Sequence, residues 1–123
     1  MSITTAVLYL RKSGNKQEYS WDAQEAKLRR FCADNDWQVL EIIREEASGA
    51  KNDRAGLQRA VSRAEATHSK LLVLRIDRLS RNLSKVAELL EKKNLQLCVA
   101  EMGRCLDPFV VRIMACVAQQ ERE

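Results

Sequence analysis

The strongest constraint on this chain is the alternation of short, almost wholly apolar runs with stretches of helical periodicity. Residues 3–10 form a nearly continuous apolar run of the kind buried on both faces of a parallel sheet. Residues 20–35 then read as a helix. Ser20 or Asp22 is suited to cap it, and Trp21, Gln24, Leu28, Phe31 and Cys32 share one stripe. A second strand is predicted at 37–43, followed by a polar, aperiodic loop over 45–53. Asp53 is placed to cap another helix, where Leu57, Ala60, Val61 and Ala64 recur at helical spacing. Residues 71–76 read as a third strand, apolar except for Arg75. Leu83, Val86, Ala87 and Leu90 mark a short helix, and 95–100 a fourth strand. The piece 102–107 reads as irregular. Pro108 is suited to open a last helix, with Val110, Ile113, Met114 and Val117 as its apolar stripe.

This order predicts a single α/β domain over residues 1–123: a mostly parallel sheet of four to five strands flanked by helices, with right-handed crossovers. The last helix reaches Glu121-Arg122-Glu123 without a Gly, Pro or cap. That pattern predicts the start of a longer helix, with an oligomer seam along its apolar side.

Composition narrows the function classes. At 123 residues, 46% hydrophobic and 31% charged, the chain has the material for a folded core. The net charge of +4 permits a polyanionic partner without requiring one. No apolar run approaches the ~20 residues of a membrane span, and the N-terminus does not read as a signal peptide. The expectation is a cytoplasmic protein that does not enter the membrane. Cys32, Cys98, Cys105 and Cys116 form no C-x-x-C pair, and His68 is the only histidine, which is poor zinc-ligand spacing. The cysteines read as reduced thiols, with Cys32 and Cys116 on apolar helix faces.

In parallel sheets chemistry gathers where the strands' carboxyl ends release their loops. Arg11, Ser13 and Gln17 follow the first strand; Ser48 and Arg54 follow the second; Asp77, Arg78 and Arg81 follow the third. Arginines from three strand ends thus share one rim with a serine and an aspartate. Arginine's planar, permanently charged fork suits bidentate phosphate contact. The rim lacks the carboxylate cluster of two-metal phosphoryl transfer, and His68 lies at the far end of the third strand from any Ser-His-Asp arrangement. Neither G-x-x-x-x-G-K-[ST] nor G-x-G-x-x-G occurs. Two readings stand: a serine nucleophile attacking a phosphodiester with arginines stabilising the added charge, or a solvated basic face.

Several segments together carry a resemblance. Tyr9-Leu10-Arg11-Lys12-Ser13 followed by Gln17 resembles the Y-x-R-x-S-x-x-x-Q opening of the serine recombinases, the resolvase/invertase family. Gln24 resembles the glutamine that opens that family's first helix. Glu46-Ala47-Ser48-Gly49 with Asp53-Arg54-Ala55-Gly56-Leu57 resembles its second block. The stretch ending Asp77-Arg78-Leu79-Ser80-Arg81 resembles its "DRLxR" block, and Ala118-Gln119-Gln120-Glu121-Arg122-Glu123 its A-E-x-E-R-E segment.

The resemblance implies a resolvase-like catalytic domain that cuts DNA through a 5′-phosphoserine link. A free 3′-hydroxyl then attacks that link after strand exchange, with neither metal, ATP nor any other cofactor. It implies Ser13 as nucleophile, with Arg11, Arg78 and Arg81 on the scissile phosphate and Arg54 supporting the same charge. Asp77 would either orient an arginine or move a proton to the leaving 3′-oxygen. Gln17, Gln24, Ser48 and Arg122 would contact substrate, although a solvent-facing Gln24 is the plainer alternative. The implied partners are DNA and further copies of the chain, as dimer or tetramer in the full-length protein and as monomer or weak dimer for these residues alone. A prokaryotic, phage or mobile-element origin is also implied.

Lys12, Gly14 and Gln119-Gln120 depart from the family pattern, at the nucleophile loop and the oligomer helix. Nothing resembles a helix-turn-helix or zinc-ribbon unit, so the residues read as the catalytic domain without its DNA-binding domain. The rival is a non-catalytic, DNA-associated assembly or regulatory module with the same fold.

Overall fold

The structure, a computed structural model, describes residues 3–13, 20–47, 55–75, 87–88, 90–91 and 95–122. Its framework is a five-stranded sheet: β1 (Thr5–Ser13), β2 (Gln38–Ala47), β3 (Lys70–Val73), β4 (Leu97–Val99) and β5 (Arg104–Leu106), in the order β2-β1-β3-β4-β5. The ladders among the first four strands are parallel, and β4 pairs with β5 antiparallel. Among the described residues three helices accompany it: α1 (Trp21–Asp34), α2 (Ala55–Ala66) and α3 (Pro108–Arg122). Residues 87–88 and 90–91 are also helical. The α/β class and the mostly parallel sheet match the expectation.

Side-chain alternation along β1 explains why this run is so apolar. Val7 and Tyr9 face one core, with Ile43, Leu57, Ala60, Val61 and Ala64 as well as Ala87, Leu90 and Val111. Ala6, Leu8 and Leu10 face the other, with Leu28, Cys32 and Leu72. The sheet is therefore covered by α1 on one side and by α2, Ala87, Leu90 and α3 on the other. A strand buried on both faces cannot alternate polar and apolar residues.

The helix starts are legible. Ser20 caps α1, its hydroxyl accepting from the Ala23 amide at 3.2 Å. Asp107 does the same for α3, accepting from the Val110 amide at 3.0 Å, and Pro108 takes the first position. The expected Asp53 cap lies outside the described residues, as do Leu83 and Val86 of the short helix.

Four local expectations change. β2 runs on to Ala47, so Glu45 and Glu46 belong to a strand and not to the polar loop. Residues 104–106, expected irregular, form β5, reached through a turn in which Gly103 adopts φ 69°. On α3 Val111 is fully buried, with Val110 and Met114 packed against the core. Ile113 and Val117 of the expected stripe are exposed, with Phe109. Finally, Cys98 and Cys105 face each other across the β4–β5 ladder and are joined by a disulfide, while Cys116 is exposed. Only Cys32 keeps the expected character, a buried thiol whose pKa is raised by that burial.

This arrangement predicts an alkylation ladder. The folded protein should take up one maleimide, at Cys116. Denaturant without reductant should expose Cys32 as the second, and reduction should release the remaining two of the four cysteines. Intact mass measured at each step checks it. Closing so short a loop removes unfolded-state entropy worth about 2–3 kcal/mol. Cys98→Ser/Cys105→Ser should therefore lower stability by about that amount in chemical denaturation.

Candidate active site

Strand order fixes where a site belongs. α1, between β1 and β2, packs on one face of the sheet, and α2, between β2 and β3, on the other. The chain leaves β1 in one lateral direction and returns across it to β3, so β1/β3 is the switch point of the sheet. In open α/β sheets the crevice at the carboxyl ends of such strands is the natural place for a ligand. Ser13 is the last residue of β1, at that edge.

The ladders on the two sides of β1 differ in length. With β2 it runs from Thr5↔Gln38 to Ser13↔Ala47. With β3 it ends at Tyr9↔Val73. Beyond Tyr9 the strand keeps β2 as its ladder partner, and β3 gives way to Leu74 and Arg75. Arg75 reaches Glu101 at 3.3 Å, beyond the end of β4. In the sequence Asp77 follows Val73 by four residues, as Ser13 follows Tyr9.

Arg11 is half-buried, opposite Glu45 in the β1–β2 register and on the face it shares with Tyr9 by strand alternation. Gln24 is 1% exposed, one turn before Leu28 on the buried stripe of α1. The solvent-facing alternative for Gln24 is thereby overturned. Ser13 and Arg122 are described by their backbone. Gln17, Ser48, Arg54, Asp77, Arg78 and Arg81 lie outside the described residues.

The structure adds one group that the sequence placed in a polar loop. Glu45 is 9% exposed. One carboxylate oxygen accepts from the Tyr9 hydroxyl, and the other accepts from the Gly56 amide at 2.8 Å. Tyr9 comes from β1, Glu45 from β2 and Gly56 from the first turn of α2. The carboxylate satisfies an amide at a helix start, where the backbone dipole favours negative charge. Gly56 is required by this approach. A Cβ there would stand 2.8 Å from Glu45 Cδ and 2.9 Å from its Cβ, closer than carbon atoms pack. The available signal was the Ile43/Glu45 alternation combined with a glycine inside a helix, but neither points to the other in the sequence.

On the α1 side, Arg44 donates to Glu25 at 2.6 Å and lies over the Trp21 ring. Glu25 also accepts from Arg29 at 2.8 Å. The two hydrogen bonds, Arg29's first, hold the Glu25 carboxyl below its ordinary pKa. Among the described residues, no group of three or more His, Cys, Asp or Glu gathers to hold a metal ion.

Comparison with known proteins agrees with this geometry. The family model described as the resolvase N-terminal domain matches residues 6–123. The N-terminal catalytic domain of TP901-1 integrase superposes with a TM-score of 0.72 at 22% identity, covering 97% of each chain. A resolvase family site-specific recombinase from Streptococcus pneumoniae gives the same score and identity, covering 97% of this chain and 88% of its own. The C-terminal catalytic domain of ISC1926 TnpA, an IS607-like serine recombinase, gives 0.66 at 25% identity, over 79% of this chain and 70% of its own. With its strand order, its serine-terminated β1 and a match spanning nearly its whole length, the chain belongs to the resolvase family of serine recombinases.

Proposed function

We propose that this chain is the catalytic domain of a site-specific DNA recombinase in which Ser13 is the nucleophile. The observation that carries the proposal is the position of Ser13, at the carboxyl end of β1 on the switch point of the sheet. The Ser13 oxygen attacks phosphorus and the bond to the 3′-oxygen of DNA breaks, leaving a 5′-phosphoserine and a free 3′-hydroxyl. After exchange, a 3′-hydroxyl attacks that ester and releases the serine. One phosphoester bond is made for each one broken in both steps, so no ATP is consumed.

The added charge on phosphorus falls to Arg11, Arg54, Arg78 and Arg81, with no metal and no other cofactor required. Asp77 either orients one of these arginines or carries the proton for the 3′-oxygen. Gln17, Ser48 and Arg122 serve as substrate contacts, and Gln24, buried on α1, supports the site from behind. Contacts to phosphate alone carry no sequence information, so target choice falls to a separate DNA-binding unit. The exposed Phe109, Ile113 and Val117 on α3 favour assembly of copies as dimer or tetramer. Among the described residues no helix is long and apolar enough to cross a membrane.

Denaturing electrophoresis tests this. Full-length protein incubated with a supercoiled plasmid carrying its recombination site should yield a protein–DNA adduct. The yield should be unchanged in excess chelator. Absence of any adduct would count against the serine mechanism, and loss on chelation would count against charge stabilisation by arginine alone.

A further inference from the structure

We propose that Glu91 neutralises Arg112 beside the exposed apolar stripe of α3, so that the stripe can close on the same stripe of a second copy without enclosing an unpaired charge. The inference deepens the reading of α3 as an assembly helix and rests on that reading.

α3 has two unlike sides. Val111 is fully buried, and Val110 and Met114 pack against the core. Phe109, Ile113 and Val117 recur at i, i+4 and i+8 and are exposed, with Cys116 among them. From Phe109 to Val117 the sequence holds a single charged residue, Arg112. It falls three residues after Phe109 and four before Cys116, so it borders the exposed stripe.

The Arg112 guanidinium is engaged from outside its own helix. Nε donates to one Glu91 carboxylate oxygen at 3.2 Å, and Nη2 donates to the other at 2.7 Å. Leu90 is fully buried in the core that also holds Val111, which fixes the backbone beside Glu91 against α3. The two-pronged contact is thus pre-organised. The Glu91 hydrogen bond and charge raise the Arg112 pKa, and Glu88 adds to the same field.

Folding stability gives little reason for the pair. Both side chains are about half exposed, where an ion pair adds little. A partner bringing a carboxylate or phosphate to this face would need the Arg112 fork open, and Glu91 already fills it. What the stripe then offers is apolar and neutral. The same stripe on a second copy, brought round a two-fold axis, matches it in both respects. Such a contact carries two Arg112 side chains to the margins of one dehydrated seam. Bare, they would lose hydration and repel; with a Glu91 on each, the seam closes on neutral pairs.

Sedimentation equilibrium of the full-length protein without DNA tests this, at about 50 mM and about 500 mM salt. At low salt Glu91→Gln should self-associate about 10-fold more weakly than wild type, and the gap should narrow to about twofold at high salt, where bare charges are screened. Glu91→Gln/Arg112→Gln, which removes both charges, should return to within about twofold of wild type. Both variants should melt close to wild type, because the pair adds little to folding. Ile113→Ser reports separately whether the stripe is the seam, and should weaken association at both salt concentrations.

Glu91→Gln associating as wild type does at low salt would overturn the proposal. A double variant as weak as Glu91→Gln would overturn it too, since that is what a strap acting through geometry alone would give. Wild type that stays monomeric, or that is indifferent to Ile113→Ser, removes the assembly reading and this inference together. Association weakened by Ile113→Ser but unaffected by Glu91→Gln removes this inference alone.

Discussion

Ser13→Ala is expected to abolish the covalent protein–DNA species and to lower recombination by roughly 10⁴-fold or more, the scale on which loss of a nucleophile is felt. The argument is chemical and positional. In the proposed reaction the hydroxyl oxygen is the atom that bonds to phosphorus, and alanine supplies none. The backbone at Ser13 is held by the ladder to Ala47, which does not depend on the side chain. Folding and duplex binding should therefore survive while chemistry is lost. The measurement is the trapping gel, run beside a melting curve and a gel shift. An adduct of undiminished yield from Ser13→Ala would refute the assignment of the nucleophile.

The largest effect on stability is expected at Leu72. It lies in β3 with Leu8 of β1 on one side and Cys98 of β4 on the other, has no exposed surface, and packs in the core with Leu28 and Cys32. Strands on both flanks and α1 above leave little freedom to collapse around a cavity. Leu72→Ala should cost about 3–5 kcal/mol. Single domains are stable by only about 5–15 kcal/mol, so the melting temperature should fall by roughly 10–20 °C. Leu40 is the control. It is 40% exposed at the irregular step of the β1–β2 ladder, where Ala6 pairs with Val39 and Val7 with Glu41. Leu40→Ala should cost less than about 1 kcal/mol. Thermal melts of the two variants side by side check the contrast.

The contrast also shows what the sequence could and could not disclose. Leu72 sits in the unbroken apolar stretch 71–74, and such stretches declare a doubly covered strand. The helices of α1 and α2 declared themselves through Leu28 and Cys32, and through Leu57, Ala60, Val61 and Ala64. Three features were hidden for identifiable reasons. β5 is three residues long and opens on an exposed arginine, so its strand character comes from the turn at Gly103 and from pairing with β4. α3 carries apolar residues at Phe109, Val110, Val111, Ile113 and Met114, too broad a stripe to show which side meets the sheet. Its buried side is set by Val111. Glu45 stands in a run of charges, Arg44-Glu45-Glu46, that reads as solvated. Its burial depends on a tyrosine 36 residues away and an amide 11 residues away. Ser13 and Arg11 were legible as members of a strand end. Which face of the sheet they belong to required the ladder.

The unequal ladders of β1 bear on how the strand that carries Ser13 can be controlled. Past Tyr9 the backbone is braced along β2 as far as Ala47, while the ladder to β3 has already ended. Mechanically this is a cantilever, a beam fixed along one side whose tip carries the serine. Among the described residues, displacement of Leu74 or Arg75 has no β1–β3 ladder pair through which to pull on Ser13, whereas displacement of Glu46 or Ala47 acts on the β1–β2 ladder directly. Control of the tip therefore passes through β2, and a proline at 46 or 47 would disturb Ser13 more than one at 74 or 75.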